Sequence, residues 1–295
     1  MTSLTCCPLC NSTKFRLFEV EKSEEKGKGF ELQYQICTRC GLVFLSPCMD
    51  DEELKEYYRS GYRTLKMGSE KPTEKKMEQE QKRAESLAAM AGLLLKQYSV
   101  GSTQRKQIHL DIGCATGKLA LAIQKENDTI SYGIEPGEGH REYARGELEN
   151  RVYANLDEFH AATQTKHNVD LVTMSHVIEH VPNPVEYLKE LRLATLKPNG
   201  LVLLEVPNLY VHSCYEPSHL FAFTEKTLRL LFQSAGYEVL WCKLHGLPNK
   251  EKRKRYITMI GRALDEPVTK PQITGRVFPS LMLRRRHYER SKLKR

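Results

Sequence analysis

Long apolar runs are absent from this 295-residue chain. No stretch approaches the roughly 18 to 20 apolar residues needed to span a bilayer. Met1 to Cys10 lacks the basic-then-apolar layout of a secretory signal, so the expected compartment is the cytoplasm. Internal repeats and low-complexity tracts are missing as well. What is left is a soluble, globular reading, with 40% hydrophobic content, enough for one sizeable core and a small extra module. Tryptophan occurs once, as Trp241 on an expected strand, where packing is its simplest use. Acidic residues are scarce at one end: Lys243 to Arg295 carries sixteen Lys or Arg against four Asp or Glu, so the net charge of +8 becomes −4 without that segment. Such a tail suits an acidic partner, for example a nucleotide-linked substrate, RNA or an anionic lipid surface, or is simply solvated.

Cysteine, by contrast, is plentiful, with nine in all. Without an export signal, cytosolic reduction argues against a disulfide framework and leaves metal ligation or burial. Cys7-Pro-Leu-Cys10 and Cys37-Thr-Arg-Cys40 are two Cys-x-x-Cys pairs, a spacing that brings four thiolates to the corners of a tetrahedron around one zinc ion. The expectation is a closed, structural Zn2+ site outside the catalytic chemistry. Its binding would supply the folding free energy of a segment too small to build its own core. Cys6 is out of register and Cys48 lies beyond both pairs.

The pattern divides the chain into a zinc-binding module over 1–48, a helical linker region over 49–106, a main domain over 107–262 and a basic tail over 263–295. Leu87, Met90, Ala91, Leu94 and Leu95 recur at helical spacing, predicting an amphipathic packing helix within Glu74 to Tyr98. In the main domain, expected strands at Ile108 to Ile112, Ser131 to Ile134, Val169 to Met174 and Leu201 to Val206 alternate with helical patterns, the form of βαβ units on a parallel sheet. A Pro-bounded helix is expected from Val185 to about Leu196, followed by a turn at Pro198-Asn199-Gly200. Thr224 caps a further helix that Gly236 stops, and Tyr237 to Cys242 and Tyr256 to Arg262 read as closing strands.

The stretch Leu110-Asp111-Ile112-Gly113-Cys114-Ala115-Thr116-Gly117 sits where the first of these strands turns into a helix. Its small residues let a ligand approach the backbone, and the helix N-terminus offers unpaired amides. Glu135, about twenty residues on at the end of the next strand, is placed to accept both hydroxyls of a ribose. A dinucleotide is disfavoured because Ala115 occupies the central position of Gly-x-Gly-x-x-Gly. Asp111 would also repel a pyrophosphate, while suiting a cofactor that carries a sulfonium and an ammonium group, S-adenosylmethionine.

This loop, Gly133-Ile134-Glu135-Pro136, and the run from Asp170 to Glu179-His180-Val181-Pro182-Asn183-Pro184 together resemble the class I S-adenosylmethionine-dependent methyltransferases. Within these the likeness is to the branch with an EHVPNP-type segment, which includes ubiquinone-type O-methyltransferases and sugar C-methyltransferases. The latter also carry an N-terminal zinc module ending in a run like Cys37 to Phe44. The resemblance covers most of residues 7–262 and implies an α/β fold: a Rossmann-like seven-stranded class I methyltransferase sheet with a small N-terminal zinc-ribbon module. It implies that Asp111, Gly113 and Gly117 line the methionine end of the cofactor, with Cys114 and Ala115 in the same loop. Glu135, followed by Pro136, would hold the ribose, Leu156 or Asp157 would lie beside the adenine, and Ser175 and His176 would close the pocket.

Methyl transfer from a sulfonium is an in-line displacement, so a base is needed only where the acceptor loses a proton. His176, His180 and His219 are the candidate bases, and His180 is read equally as a histidine that orients its loop. His219 lies with Glu216 in the loop Tyr215 to Thr224, over the C-terminal edge of the sheet. The sugar C-methyltransferases carry a catalytic Glu and His in a similar loop, so the resemblance offers Glu216 and His219 as that pair. Here Pro217-Ser218 intervenes, and a structural use stands beside the catalytic one. Tyr210, Tyr215 and Phe221 form either an acceptor wall or core.

The expected function is methyl transfer to a small-molecule acceptor, a nucleotide-activated sugar or another polysaccharide precursor. The alternatives are RNA or protein methylation through the basic Lys250 to Arg255 and Arg284-Arg285-Arg286, and an inactive zinc-bearing interaction protein. Sugar C-methyltransferases continue into a second large domain where this chain has residues 263–295, which leaves O- and N-methylation open.

Overall fold

The computed structural model describes residues 2–25, 28–59, 73–98, 105–211, 216–248 and 254–265. The chain begins with a hairpin of β1 (Phe15–Glu25) and β2 (Lys28–Cys37), followed by the short β3 (Val43–Leu45) and α1 (Asp51–Arg59). In β2 the side chains of Leu32, Tyr34 and Ile36 are buried while Glu31 and Gln33 face solvent, the period-two pattern of a sheet with one covered face. Helix α2 (Glu74–Tyr98) matches the expected packing helix. Ala88, Ala91, Leu94 and Leu95 join Ala122, Ile123, Leu171, Leu203 and Ile260 in one apolar cluster, so α2 is laid on the main sheet.

The main sheet takes its parallel strands β4 (Ile108–Ile112), β5 (Ile130–Ile134), β6 (Val152–Tyr153), β7 (Val169–Ser175) and β8 (Leu196–Pro207) from units linked by α3 (Lys118–Asn127), α4 (Glu138–Glu147), α5 (Leu156–Thr163) and α6 (Pro184–Glu190). Strands β4 and β7 are buried nearly throughout, as central strands covered on both faces must be. After the two-residue β9 (Phe221–Ala222) and α7 (Glu225–Ser234), the chain adds β10 (Tyr237–His245) and β11 (Tyr256–Ala263). The order is β10-β11-β8-β7-β4-β5-β6, with β11 antiparallel to both β8 and β10. This is the Rossmann-like seven-stranded sheet of class I methyltransferases. Neighbours fan out in opposite directions from β4 and β7, and the C-terminal edge at such a switch point is where open α/β sheets hold ligands.

Two local expectations shift. The Pro-bounded helix stops at Glu190 and widens into a π turn over Leu191–Thr195, which keeps Leu191 and Thr195 buried while Arg192 donates to the carbonyls of Ala235 and Leu264. Pro198-Asn199-Gly200 bulges within β8: Val169 pairs with Leu196, and the ladder resumes with Leu171 opposite Leu201. Thr224 caps α7 as expected, through a capping box with Thr227, and Gly236 stops the helix at φ +86°.

The N-terminal strands form a second sheet in the order β1-β2-β3-β9, so its last strand is lent by the main domain. Val43 pairs with Ala222 and Phe44 with Phe221, and the Leu45 N–H donates to the Leu220 carbonyl at 2.8 Å. Among the described residues no helix is long and apolar enough to cross a membrane. The basic tail beyond Asp265, with Arg284-Arg285-Arg286, lies outside the described residues, as do Tyr215 and all but Lys254 and Arg255 of the Lys250 to Arg255 run.

Candidate functional site

At the end of β4 the chain turns through Gly113, Ala115 and Gly117, all with left-handed φ (+72°, +49° and +78°). Glycine is required at 113, where a Cβ would stand 2.5 Å from Val177 Cγ2. Asp111, on β4, is 2% exposed and accepts a 2.6 Å hydrogen bond from the Thr173 hydroxyl. Burial, and secondarily the nearby Glu135 charge, push its carboxyl up to about 7. Among the described residues no cationic side chain pairs with Asp111. Asp170, at the other end of the sheet, is held by Arg105 and Lys197. One buried acid is paired with cations and the other with a neutral hydroxyl.

Glu135 follows β5 and is 3% exposed. Its carboxylate accepts from the Ala115 N–H at 3.0 Å and the Gly137 N–H at 2.9 Å, so it ties the two loops together. Pro136 is exposed beside it. Leu156 and Asp157 open α5 behind the Asn155 cap: Leu156 packs on the core and Asp157 is exposed. Cys114 differs from its neighbours in the loop. Its sulfur is turned into a small apolar cluster with Ala120, Ala144 and Leu148, against Gly133, so only its backbone is available at the loop.

The other flank of the crevice is built from side chains. Ser175 ends β7 and donates to Glu205, and His176 follows in a left-handed conformation (φ +57°), a strained geometry that concentrates at functional sites. His176 Nδ1 lies 3.4 Å from Glu179, which is 1% exposed and whose oxygens have no hydrogen bond among the described residues. Burial pushes the Glu179 carboxyl up to about 7. His180 donates from Nδ1 to the Ser218 carbonyl at 2.8 Å, because a carbonyl can only accept. Its ring meets that of His219 edge-on, with centroids 4.6 Å apart. His219 Nε2 lies 2.6 Å from Glu216 Oε1. A carboxylate there holds the ring proton on Nε2 and makes Nδ1 the basic atom, the orientation logic of a histidine backed by an acid. The structure thus brings Glu216, His180 and His219 together. Phe221 belongs to the core and Tyr210 is half-buried.

Sequence reasoning missed a third acid on this flank. Glu205, on β8, is 1% exposed, paired with Arg83 and His245 and close to His176, while Arg83 stacks over the Tyr256 ring. The signal was present as a lone carboxylate inside Leu201-Val202-Leu203-Leu204-Glu205-Val206, which a strand buried on both faces does not otherwise tolerate.

Two groups of described residues have ligand atoms gathered within 4.8 Å of one another: Glu179 with His180 and His219, and Cys7, Cys10, Cys37 and Cys40. The thiols fit zinc. Cys7 and Cys40, and Cys10 and Cys37, have sulfurs 3.5 Å apart, near the roughly 3.8 Å edge of a tetrahedron with 2.3 Å Zn–S bonds. Each pair closes on a left-handed residue, Asn11 (φ +55°) or Gly41 (φ +86°), whose N–H returns to the carbonyl of the first cysteine.

Comparison with known proteins agrees with this architecture. The family model described as "Methyltransferase domain" matches residues 81–241. A ubiquinone biosynthesis O-methyltransferase of Vibrio parahaemolyticus is 31% identical over 130 residues, covering 41% of this chain and 52% of the relative. One from Neisseria meningitidis is 27% identical over 126 residues, with 40% and 52% covered. The chain therefore spans about half the length of the curated relatives it matches. Among solved structures, the 1,6-didemethyltoxoflavin-N1-methyltransferase of Burkholderia thailandensis, bound to 1,6-didemethyltoxoflavin and S-adenosylhomocysteine, superposes with a TM-score of 0.56 at 16% identity, covering 76% of this chain and 96% of that one. Since the family model spans more than half of the chain and falls on the strand order described above, the chain belongs to the methyltransferase-domain family.

Proposed function

We propose that the protein is an S-adenosylmethionine-dependent methyltransferase that methylates a small-molecule acceptor, with an oxygen as the favoured target. The observation that carries the reading is the pair of buried acids at adjacent strand ends, Asp111 and Glu135, beside a left-handed glycine loop. A buried carboxyl held near neutrality with no cationic partner among the described residues suits a ligand that brings its own positive charge. Asp111 and the loop 113–117 would hold the methionine end, Glu135 the ribose, and Ser175 with His176 the closing side. Leu156, or the exposed Asp157, is proposed for the adenine. When bound, the sulfonium supplies an electrophilic methyl group and departs as a neutral thioether.

His219 is the proposed base. Its Nδ1 accepts the acceptor's hydroxyl proton as the C–O bond forms and the C–S bond breaks, while Glu216 keeps Nε2–H in place. His180, anchored on Ser218, fixes the face of the His219 ring. The four thiolates of Cys7, Cys10, Cys37 and Cys40 are proposed to hold one zinc ion. The O-methyltransferase names of the relatives favour oxygen, and a four-cysteine module joined to this domain favours a nucleotide-activated sugar or another polysaccharide precursor as acceptor. The test is incubation with methyl-tritiated S-adenosylmethionine and panels of hydroxylated nucleotide-sugars, phenols and RNA. Label recovered in a small molecule supports the proposal, and label confined to RNA or protein contradicts it.

A further inference from the structure

The histidine proposed as base is not held by the methyltransferase sheet alone. The Tyr34 side chain, on β2 of the N-terminal module, is fully buried, and its hydroxyl donates to the His219 carbonyl at 3.0 Å and more weakly to the Glu216 carbonyl at 3.3 Å. The next residues of the same loop are strand partners of the module: Leu220 accepts from Leu45, and Phe221 and Ala222 pair with Phe44 and Val43. The module therefore bonds to five residues of the stretch from Glu216 to Ala222. The domain's own hold on that stretch includes the His180 bond to Ser218 and the bond from the Leu209 N–H to the Phe223 carbonyl just beyond it.

The far end of the same strands is the thiol cluster. Cys37 is the last residue of β2, three residues after Tyr34, and the turn to Cys40 and Gly41 leads directly into β3. The sulfurs of Cys7 and Cys40 and of Cys10 and Cys37 lie 3.5 Å apart across the two turns, so ligation there would fix the end of β2 and the start of β3, and with them the register at Tyr34. The hydrogen bonds given above for Asp111, the 113–117 loop and Glu135 run to β4, β5, β7 and α2, whereas those given for the Glu216 to Ala222 stretch run largely to residues 34–45.

We infer that the N-terminal module is the positioning frame of the acceptor base: Tyr34 and β3 set His219 against Glu216, so metal occupancy of the four cysteines governs acceptor activation and leaves cofactor binding untouched. Tyr34 is thus a positioning residue, and the zinc knuckle acts on catalysis at a distance. This rests on the reading of His219 as base.

The test uses the full chain in three forms: untreated, stripped of zinc by a chelator, and Tyr34→Phe with zinc content measured. Nitrogen-15 labelled histidine resonances, with the His219 ring assigned by His219→Gln, report the base directly, and calorimetry with S-adenosylmethionine reports the cofactor flank of the same samples. The expected result is a shifted or broadened His219 signal in both altered forms, with the S-adenosylmethionine Kd within about twofold of the untreated protein. Tyr34→Phe keeps its zinc and loses about 3- to 10-fold in kcat, the worth of one hydrogen bond, with the KM for S-adenosylmethionine unchanged. If zinc removal unfolds the N-terminus, Tyr34→Phe decides the matter. An unmoved His219 signal in that zinc-loaded variant overturns the inference, as does loss of cofactor affinity in parallel with kcat. Failure of the untreated protein to bind S-adenosylmethionine bears on the proposed function alone, since the His219 signal is read independently of it.

Discussion

The two flanks of the sheet's C-terminal edge are built by opposite means. On the flank proposed for the cofactor, two short loops at neighbouring strand ends supply backbone amides and two buried acids, and Glu135 is satisfied by N–H groups within the same loops. On the flank proposed for the acceptor, side chains converge from residues 176–180, Glu205, 216–219, His245 and Tyr256, and the N-terminal sheet braces His219. The first construction is local. The second draws its members from several separate segments, and in folds of this kind that is where substrate choice can change without disturbing the cofactor.

The sharpest way to separate the flanks is His219→Gln. Losing a positioned base should lower turnover by roughly 10²- to 10⁴-fold while the S-adenosylmethionine Kd stays within about twofold. Steady-state kinetics beside calorimetry would show it, and equal turnover would remove the role. The reverse experiment is Glu135→Ala, which should weaken S-adenosylmethionine by about 10- to 100-fold, the worth of charge-assisted hydrogen bonds, and leave the His219 resonance in place. A variant that lost both would mean the flanks are coupled.

The smallest effect is a pH dependence. The Asp111 carboxyl titrates near 7, above the usual carboxylate range, and a cationic ligand prefers its ionised form. Affinity for S-adenosylmethionine should therefore fall by up to about tenfold per pH unit below 7 and level off above it. Asp111→Asn should bind more weakly and lose that slope, as followed by calorimetry between pH 5.5 and pH 8. A slope that survives the substitution would place the titrating group elsewhere.

The same contrast explains what could be read from the sequence. Strand β4, the glycine loop, Glu135 and the two Cys-x-x-Cys turns are defined by neighbours in the chain, so composition and spacing reveal them. Helix α2 announces itself through Leu87 to Leu95 in the same way. Strand β9 and the Tyr34 bonds join residues more than 170 positions apart, and no periodicity in Tyr215 to Thr224 signals that this loop completes a sheet begun at Phe15. His180 and His219 were legible as candidates and Glu216 was offered beside His219 by the resemblance, but the contact between the two histidine rings needed the fold. Glu205 was legible as a lone carboxylate in an apolar strand, but Arg83 looks ordinary on its helix, and the pairing of a half-buried Arg with a buried Glu appears only when α2 crosses β8.

The most direct test of the account is a calorimetric titration of the zinc-loaded protein with S-adenosylmethionine and, separately, with S-adenosylhomocysteine, at pH 6 and pH 8. The account predicts one binding site for each, with S-adenosylmethionine gaining more affinity between the two pH values because only it carries the sulfonium charge. A folded, zinc-loaded protein that binds neither ligand would contradict it.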